Sequence, residues 1–333
     1  MKFINHALCL TILAILPTLN GCDQSKEPHE TITTPAPATK PNLGTSQRQI
    51  TRDADGIHIV DDLGRKVTLA TTPKRIAAAV PAAVEVLCLL EKPPVIRLDM
   101  PEDRIYPQSA KPIPAMHVGH AVGPNLEQLT QAKPDLVILS PTFASFLPGI
   151  KKLGIDALVY SVRSIDDVPT LYKHIGTLVE ADAKANELAS QMQLFIDSNT
   201  IASKDDGPKV FALFGMRDSF NAFMPQSYLG SMVRTLGGKM VTQDAVPVRT
   251  GSSVGSFSME NIVASAPDVI IVISHGQDSN ISEKLATNPL WGSLDAVKQG
   301  RVYTLSEWLF LMNPGPRMTD ALPKLKALMY PES

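Results

Sequence analysis

The chain has 333 residues, of which 44% are hydrophobic and 19% charged, and its formal net charge at pH 7 is −2. This composition predicts a globular protein long enough for two domains. The near-neutral charge gives no electrostatic basis for binding nucleic acid, and three cysteines are too few for a disulfide framework or a cysteine-based zinc site.

Residues 1–21 have the pattern of a secretory signal. Lys2 supplies a positive charge, and an apolar run from Ala7 to Leu19 follows that is too short to span a bilayer comfortably. The run ends in Leu-Asn-Gly-Cys, which resembles the lipobox of bacterial lipoproteins. We therefore expect cleavage before Cys22 and a lipid on Cys22, with an ordinary cleaved signal and a chance cysteine as the alternative.

Residues 22–50 predict a disordered tether between the membrane and the fold. They are rich in Thr, Pro, Ser and charged residues and contain almost no large apolar side chain. Such a segment cannot bury enough surface to offset the entropy of ordering it. We expect the protein to be anchored by its lipid on the periplasmic side of the cell envelope.

The first half of the folded chain alternates between predicted strands and helices. Two β-rich runs flank Asp62-Leu63-Gly64, which indicates a hairpin, and Pro81 opens a helix directly after the buried strand IAAAV. The alternation favours a parallel α/β sheet. The later elements are PVIRL (strand), PNLEQLTQA (helix, with Asn125 near its cap), DLVILS (strand), GIKKL (helix) and GIDALVYSV (strand).

The longest predicted helical stretch lies between Asp166 and Asn199. Apolar residues recur there at helical spacing, so that Leu188, Met192 and Ile196 fall on one face. After Gly207-Pro208 the alternation resumes, and VRTGSSVGSF is predicted as a loop. The later elements are KVFALFG (strand), SYLGSMVRTLG (helix), SMENIVASA (helix), DVIIVIS (strand), RVYTL (strand) and a final helix after Pro316.

Two stretches 133 residues apart are alike. NLEQLTQAKPDLVILS begins at Asn125 and SMENIVASAPDVIIVIS begins at Ser258, so Glu127 matches Glu260. Each predicts a short helix that leads through Pro-Asp into a buried strand. The repeat predicts two related α/β lobes facing each other, and clefts between domains are favoured ligand sites.

The chain resembles the periplasmic or lipid-anchored substrate-binding proteins of iron-siderophore, heme and cobalamin ABC importers. The resemblance covers nearly all of residues 57–328, in the family's order. It implies an α/β fold of class III, with Rossmann-like lobes at 51–178 and 204–333 joined by one long helix at 179–203. The matching pieces are DDLGRKVTLATTPKRIAAAVPAAVEVL, HVGHAVGPNLEQLTQAKPDLVIL, LGIDALVYSVRSIDDVPTLYKHIGTL, SYLGSMVRTLGG, SMENIVASAPDVIIV and WGSLDAVKQGRVYTL.

The resemblance implies a monomer that delivers its cargo to an ABC permease and ATPase complex. One acidic residue on each lobe docks onto the permease in this family, and the matching positions here are Glu127 and Glu260. Charge pairs of this kind set orientation and association rate more than affinity. The alternative is that both are solvated residues favoured by a helix N-terminus.

The resemblance leaves the cargo open between a ferric siderophore and heme, with cobalamin third and a lipid-anchored scaffold without cargo as a further alternative. No intrinsic cofactor is expected. His275, in Ser-His-Gly after a buried strand, resembles the axial histidine of heme-binding members, although it is also a plausible turn residue. The second axial ligand falls near Val122, which cannot bind iron, so His120 or Met116 would have to replace it.

Other ligand-binding residues are predicted at the strand ends of both lobes, where α/β folds place their ligands. The Met and aromatic members suit an apolar pocket for a macrocycle, although core packing is the alternative for most of them. Arg217 is predicted to pair with an anionic group of the ligand or to lie on the surface. The predicted set is Met100, Tyr106, His120, Ser140, Phe214, Met216, Arg217, Tyr228, His275 and Trp308.

An enzyme is not predicted. No G-x-G-x-x-G opens a helix after a strand, and neither a P-loop nor G-x-S-x-G is present. A bare metal site would require several His and carboxylate residues to converge, and only His117, His120 and His275 are placed to do so.

Overall fold

The computed structural model describes residues 48–119, 123–202, 206–216, 219–248, 252–274 and 285–331. The strands of the first half are β1 (Gln49–Asp53), β2 (Gly56–Val60), β3 (Lys66–Leu69), β4 (Ile76–Ala78), β5 (Ile96–Leu98), β6 (Ala115–Met116), β7 (Val118–Gly119), β8 (Gly123–Pro124), β9 (Leu136–Leu139) and β10 (Asp156–Val159). The helices are α1 (Pro81–Leu89), α2 (Leu126–Ala132), α3 (Leu147–Lys152), α4 (Asp167–Leu178) and α5 (Asp182–Asn199).

The strands of the second half are β11 (Lys209–Met216), β12 (Ser219–Phe223), β13 (Lys239–Met240), β14 (Val246–Pro247), β15 (Val254–Ser256), β16 (Val269–Ser274) and β17 (Val302–Leu305). The helices are α6 (Tyr228–Thr235), α7 (Met259–Ser265), α8 (Pro289–Ser293), α9 (Asp295–Lys298) and α10 (Met318–Met329). A single π-helical turn covers Trp308–Met312, and short 3-10 turns cover Glu102–Arg104, Gln108–Ala110 and Pro141–Phe146.

The first lobe is built on a parallel sheet of order β10-β9-β4-β5-β6. Strands β4 and β9 are entirely buried, as expected for central parallel strands covered on both faces. Helix α1 begins at Pro81, where the missing proline N–H costs no helical hydrogen bond. The predicted strands and helices of this lobe are confirmed, although β5 begins only at Ile96.

A small antiparallel sheet, β1-β2-β3, precedes the first lobe and contains the predicted hairpin. Strand β1 begins at Gln49, so the predicted tether, residues 22–50, extends into the fold. The reason is a buried ion pair just before the strand: Arg48 Nε donates to Asp62 Oδ1 over 3.1 Å. Asp62 also accepts from the backbone N–H of Ser161 over 2.6 Å, and this bond ties the small sheet to the end of β10.

The second lobe has a mixed sheet of order β14-β15-β12-β11-β16-β17, with β13 also paired to β11. Strands β11, β13, β16 and β17 are parallel, whereas β12, β14 and β15 are antiparallel. The prediction of a parallel sheet is therefore incomplete here. The prediction that VRTGSSVGSF is a loop is wrong for Val254–Ser256, because these residues pair with β12 and β14.

Helix α5, with 18 residues, is the longest described helix and runs between the two lobes. It packs mainly on α4. One apolar core is shared by both lobes, and a smaller core covers the other face of each sheet. Alternation along β11 separates these cores, since Ala212 contributes to the shared core and Phe211 to the outer one. In the described parts of the chain, no helix has both the length and the hydropathy to cross a membrane.

Candidate ligand-binding cleft

The ends of the parallel strands define a candidate cleft between the lobes. In a parallel sheet the carboxyl ends of all strands lie at one edge, and ligands bind outside that edge. Asp99 and Ser140 follow β5 and β9 at this edge of the first lobe, and Trp308 lies three residues after β17 in the second. Contacts between these strand-end loops of the two lobes bring the edges face to face.

Two arginine–aromatic contacts cross the cleft in opposite directions. The Arg104 guanidinium of the first lobe lies 5.6 Å from the centre of the Trp308 ring, and Arg317 of the second lobe lies 5.7 Å from the centre of the Tyr106 ring. Arg104 Nη1 also lies 4.0 Å from Glu307 Oε1. Cation–π contacts at such distances contribute about 0.5–1 kcal/mol each when exposed, so they position the rim of the cleft without locking it.

The predicted ligand-binding residues divide by burial. Tyr106 is 39% exposed and available to a ligand at the rim. Met100, Tyr228 and Trp308 are buried in the shared core, and the Trp308 indole Nε1 has no hydrogen-bond partner among the described protein atoms. Burial explains their apolar character by packing, and their contact with a ligand remains a prediction.

Two further predicted residues have local partners at the strand ends. Ser140 caps the turn that follows β9, with its Oγ accepting from the backbone N–H of Thr142 over 3.3 Å. Half-buried Phe214, on β11, packs edge-to-face on Phe223 with ring centres 6.4 Å apart. The backbone of Met216 ends β11. His120, Arg217 and His275 lie outside the described residues, as does Cys22.

An exposed acid–histidine pair lies at the same edge of the first lobe. Asp99, after β5, and His117, after β6, approach to 2.9 Å between Oδ2 and Nδ1. The backbone N–H of His117 donates to Gln128 Oε1 over 2.9 Å, so the loop is held against α2. Within the described ranges, no three His, Cys, Asp or Glu side chains are grouped to hold a metal ion.

Sequence reasoning missed Glu85, Arg104, Glu307, Asn313 and Arg317, which all lie at the contact between lobes. A signal existed for Glu85, because it is the only charged residue in the otherwise apolar helix PAAVEVLCL. The others carry no local signal, since each acquires its role from a partner more than 200 residues away. A surface hollow of about 150 Å³ is also present, but it lies on the small sheet β1-β2-β3 beside His58 and Lys66, away from both strand-end edges.

The two repeated Glu residues occupy matching positions. Glu127 and Glu260 are each the second residue of a seven-residue helix, and both are exposed. Asn125 caps α2 by accepting from two backbone N–H groups, and Ser258 caps α7 by accepting from one. Ser258 Oγ also donates to Glu260 over 2.5 Å, and this hydrogen bond lowers the pKa of Glu260.

Each repeat is fixed to its lobe in the same way. Both helices end at a residue with positive φ, 47° at Lys133 and 46° at Ala266, and a Pro-Asp pair follows. The aspartate then accepts from the backbone at the start of the neighbouring strand: Asp135 from Lys74 N over 2.7 Å, and Asp268 from Lys209 N over 2.8 Å. The pseudo-symmetry predicted from the sequence thus extends to backbone geometry.

This arrangement of two α/β lobes, a connecting helix and facing strand-end edges defines a two-lobed solute-binding protein. The family model described as "Periplasmic binding protein" matches residues 81–308. The chain belongs to this family, which consists of solute-binding proteins rather than enzymes. Its homologues are periplasmic or extracytoplasmic binding proteins.

Individual relatives agree with the family. The high-affinity heme uptake system protein IsdE of Staphylococcus aureus is 25% identical over 264 residues, which cover 75% of this chain and 86% of the relative. A substrate-binding protein of an ABC transporter from Listeria monocytogenes has a TM-score of 0.68 at 25% identity, over 78% of this chain and 99% of that chain. The structure of S. aureus IsdE complexed with heme has a TM-score of 0.65 at 24% identity, over 77% of this chain and 98% of that chain. The predicted class of fold and the predicted family are confirmed.

Proposed function

We propose that this protein is the substrate-binding lipoprotein of an ABC importer and that it captures an iron chelate, with heme as the first candidate. The support for heme is the similarity to a curated heme uptake protein over most of both chains. A heme carrier needs an apolar cleft with aromatic walls; Tyr106 is exposed at the described rim, and Trp308 is buried directly behind it under Arg104. His275 is the proposed axial ligand, with His120 as the second.

The test of cargo is an absorption titration with hemin. The soluble chain from Asp23, without a His tag, would be compared with His275→Ala and with the control His58→Ala, which changes an exposed histidine on β2. We expect a saturable shift of the Soret band that changes in His275→Ala and not in His58→Ala. An equal response of all three proteins would refute His275 as a ligand.

The absence of a saturable hemin band would refute heme as the cargo. Ferric siderophores and cobalamin would then be titrated by quenching of tryptophan fluorescence, with Trp308 at the cleft as the reporter. Binding of a ferric siderophore would keep the iron-chelate proposal, and binding of cobalamin alone would replace it. Binding of none of these ligands would favour a scaffold without cargo.

We also propose that Glu127 and Glu260 dock the loaded protein onto the permease. Their matched helical positions give each lobe one exposed carboxylate on a helix that is anchored by a single buried side chain, Leu129 or Ile262. A partner contacting both carboxylates would sense the relative placement of the lobes. Such charges govern orientation and association rate more than affinity.

Charge reversal tests docking separately from capture. In Glu127→Lys/Glu260→Lys we expect transport in proteoliposomes with the cognate permease to be lost, while ligand affinity stays within about twofold of wild type because neither residue contacts the cleft rim. Glu187→Lys, an exposed change on α5, is the matched control and should leave both unchanged. Loss of ligand affinity in the double variant would refute a docking role.

Helix α5 suggests how far the lobes move during capture. At about 1.5 Å per residue its 18 residues span about 27 Å, and one continuous helix resists hinge bending more than flexible strands do. We expect the radius of gyration from small-angle scattering to change little on ligand binding. A large closure would contradict this stiffness.

The lipid anchor is part of the proposal. The attachment residue is Cys22, and the anchor would keep the protein at the outer face of a membrane that also holds its permease. Cys22→Ala should move the protein from the membrane fraction to the soluble fraction. Continued membrane association of the variant would refute lipidation at this residue.

A further inference from the structure

Helix α1 buries a carboxyl group at the contact between the lobes. Residues 82–88 of this helix are all buried, and Glu85 is 1% exposed although it is the only charged residue in the helix. Burial of a carboxyl group costs free energy unless partners compensate for the lost water. The partners of Glu85 therefore decide what this residue does.

The hydrogen-bond partner of Glu85 comes from the other lobe. Asn313 Nδ2 donates to Glu85 Oε1 over 2.6 Å, and Asn313 is itself 1% exposed. Asn313 directly follows the turn Trp308–Met312, and its backbone N–H donates to the Trp308 carbonyl over 3.0 Å. This bond joins α1 of the first lobe to the strand-end loop of the second.

The Glu85–Asn313 pair lacks one hydrogen-bond donor if the Glu85 carboxyl group is ionised. Glu85 Oε2 and Asn313 Oδ1 are both buried without a hydrogen-bond partner among the described protein atoms. An ionised carboxylate offers only acceptors, as does an amide oxygen. A proton on Oε2 removes the buried charge and converts one of the two acceptors into a donor, so the protonated acid suits this environment better than the carboxylate does.

The backbones of the two lobes approach closely beside this pair. A Cβ added to Gly315 would lie 2.6 Å from the Ala82 Cβ and 3.3 Å from its Cα. Such distances leave no room for a side chain at residue 315. The absence of a side chain there allows α1 and the loop after Asn313 to meet, so the junction is tightly packed as well as hydrogen-bonded.

Two opposite charges act on Glu85. Arg317 lowers the pKa of Glu85 and Asp320 raises it, and these two residues pair with each other at 3.1 Å. Burial is the largest effect and raises the pKa of Glu85 to about 8, against the lowering by the Asn313 hydrogen bond. The titratable and charged residues that act on Glu85 or respond to its charge are Arg317 and Asp320 at the start of α10, Tyr172 of α4, Tyr228 of α6 and Cys88 of α1.

Glu85 is the group in this set that titrates near neutral pH. Burial raises the pKa of the Cys88 thiol to about 11 and raises the pKa of both Tyr172 and Tyr228. These three groups therefore stay neutral through the physiological range. Of the four buried groups Glu85, Cys88, Tyr172 and Tyr228, Glu85 is the one whose charge changes between pH 5 and 9.

We propose that Glu85 and Asn313 form a proton-dependent latch between the lobes, in which the protonated acid holds the junction together and loss of the proton loosens it. The latch does not depend on which ligand the cleft binds. When the lobes separate, Glu85 meets water and its pKa returns towards 4.5. The stabilisation of the closed junction by protonated Glu85 is therefore complete below about pH 4.5 and is lost as the pH rises to about 8. In that window the equilibrium constant for separation of the lobes at the junction rises by up to tenfold per pH unit.

Hydrogen exchange in the intact mature protein tests the latch. Opening constants would be measured from the amides of α1 and residues 313–318, with amides of β16 reporting global unfolding. Glu85→Gln is permanently neutral and supplies a donor. The ratio of the wild-type to the Glu85→Gln opening constant should rise by up to about tenfold per pH unit between pH 5 and 8. Taking the ratio removes the effect of other titrating groups.

Controls separate the latch from general destabilisation. Glu187→Gln, on the exposed face of α5, should follow the wild type at every pH. Asn313→Ala should raise the opening constant at every pH while its dependence on pH is retained. A pH-independent ratio between wild type and Glu85→Gln, or unchanged protection in Asn313→Ala, would overturn the proposal.

Discussion

Replacing Asp62 with Asn should destabilise the fold strongly, although the two side chains have the same shape. The Asp62 side chain is fully buried and accepts from Arg48 Nε over 3.1 Å, from Arg163 Nη2 over 3.3 Å and from the backbone and hydroxyl of Ser161. The Arg48 side chain is also buried and lies 3.9 Å from the centre of the Tyr160 ring. Asn would remove the fully buried carboxylate that Arg48 Nε contacts, while Asp167 Oδ2 lies farther away, 4.0 Å from Arg48 Nη2.

The expected loss follows from the cost of removing one partner of a buried ion pair. Breaking a buried ion pair from one side costs about 3–5 kcal/mol, a large part of the 5–15 kcal/mol that stabilises a typical domain. At about 2–4 °C per kcal/mol, the melting temperature should fall by about 6–20 °C. The free energy of unfolding would be measured by guanidinium denaturation at pH 7 for wild type, Asp62→Asn, Arg48→Met and the double variant.

A double-mutant cycle and an exposed control variant test whether the buried ion pair causes this loss of stability. The double-mutant cycle should give a coupling of about 1–3 kcal/mol, because the side chains are in direct contact. Asp295→Asn, which removes an exposed partner of Lys298, should change the free energy of unfolding by less than about 0.5 kcal/mol. A loss below about 1 kcal/mol in Asp62→Asn would refute the claim that the small sheet is held by this buried charge.

Three further outcomes are expected. Gly123→Ala should lower the free energy of unfolding, measured by guanidinium denaturation, by about 1–3 kcal/mol, because φ at Gly123 is +75° and an added Cβ would lie 2.1 Å from the Phe146 ring. An unchanged free energy of unfolding would mean that the ring moves aside freely. Ser258→Ala should raise the pKa of Glu260 in an NMR titration, and an unchanged pKa would exclude the hydrogen bond in solution. Burial lowers the pKa of His174 from 6.5 to about 4, so His174 takes up a proton at a higher pH in the unfolded chain than in the folded protein. The free energy of unfolding should therefore fall as the pH drops from 6.5 to 4, and His174→Gln should flatten this dependence. An identical pH profile in the variant would assign the dependence to other groups.

The sequence predicted the elements whose signals are local. Pro81 opens α1, Asn125 caps α2, and the two Pro-Asp pairs precede buried strands, because proline, capping side chains and apolar runs act on their immediate neighbours. The strands missed were β1, β6, β7 and β8 in the first half and β12, β13, β14 and β15 in the second. Val254–Ser256 forms a strand only because β12 and β14 supply its hydrogen bonds, and the surrounding Ser and Gly residues carry no strand pattern.

The candidate site was less predictable because its contacts are long-range. Asp62 gave a turn signal, but its bond to Ser161 joins positions 99 residues apart. The Glu85–Asn313 bond spans 228 residues. Tyr106 and Trp308 lie in the strand-end loops, and their contact with a ligand stays a prediction, whereas their arginine partners could not be paired without the fold.

The position of Arg48 has a mechanical consequence. In the hairpin of β1 and β2, Gln49 pairs with Val60 at the open end and Asp53 pairs with Gly56 at the turn. Tension applied to the chain before Arg48 enters at the open end, where the strand pairs would separate one at a time rather than share the load. Within the described chain, which starts at Arg48, that tension first loads the buried contact of Arg48 with Asp62, which passes the force through Ser161 to the large parallel sheet. A pull on this end of the protein is thus resisted by the first lobe before any pair of the hairpin is strained.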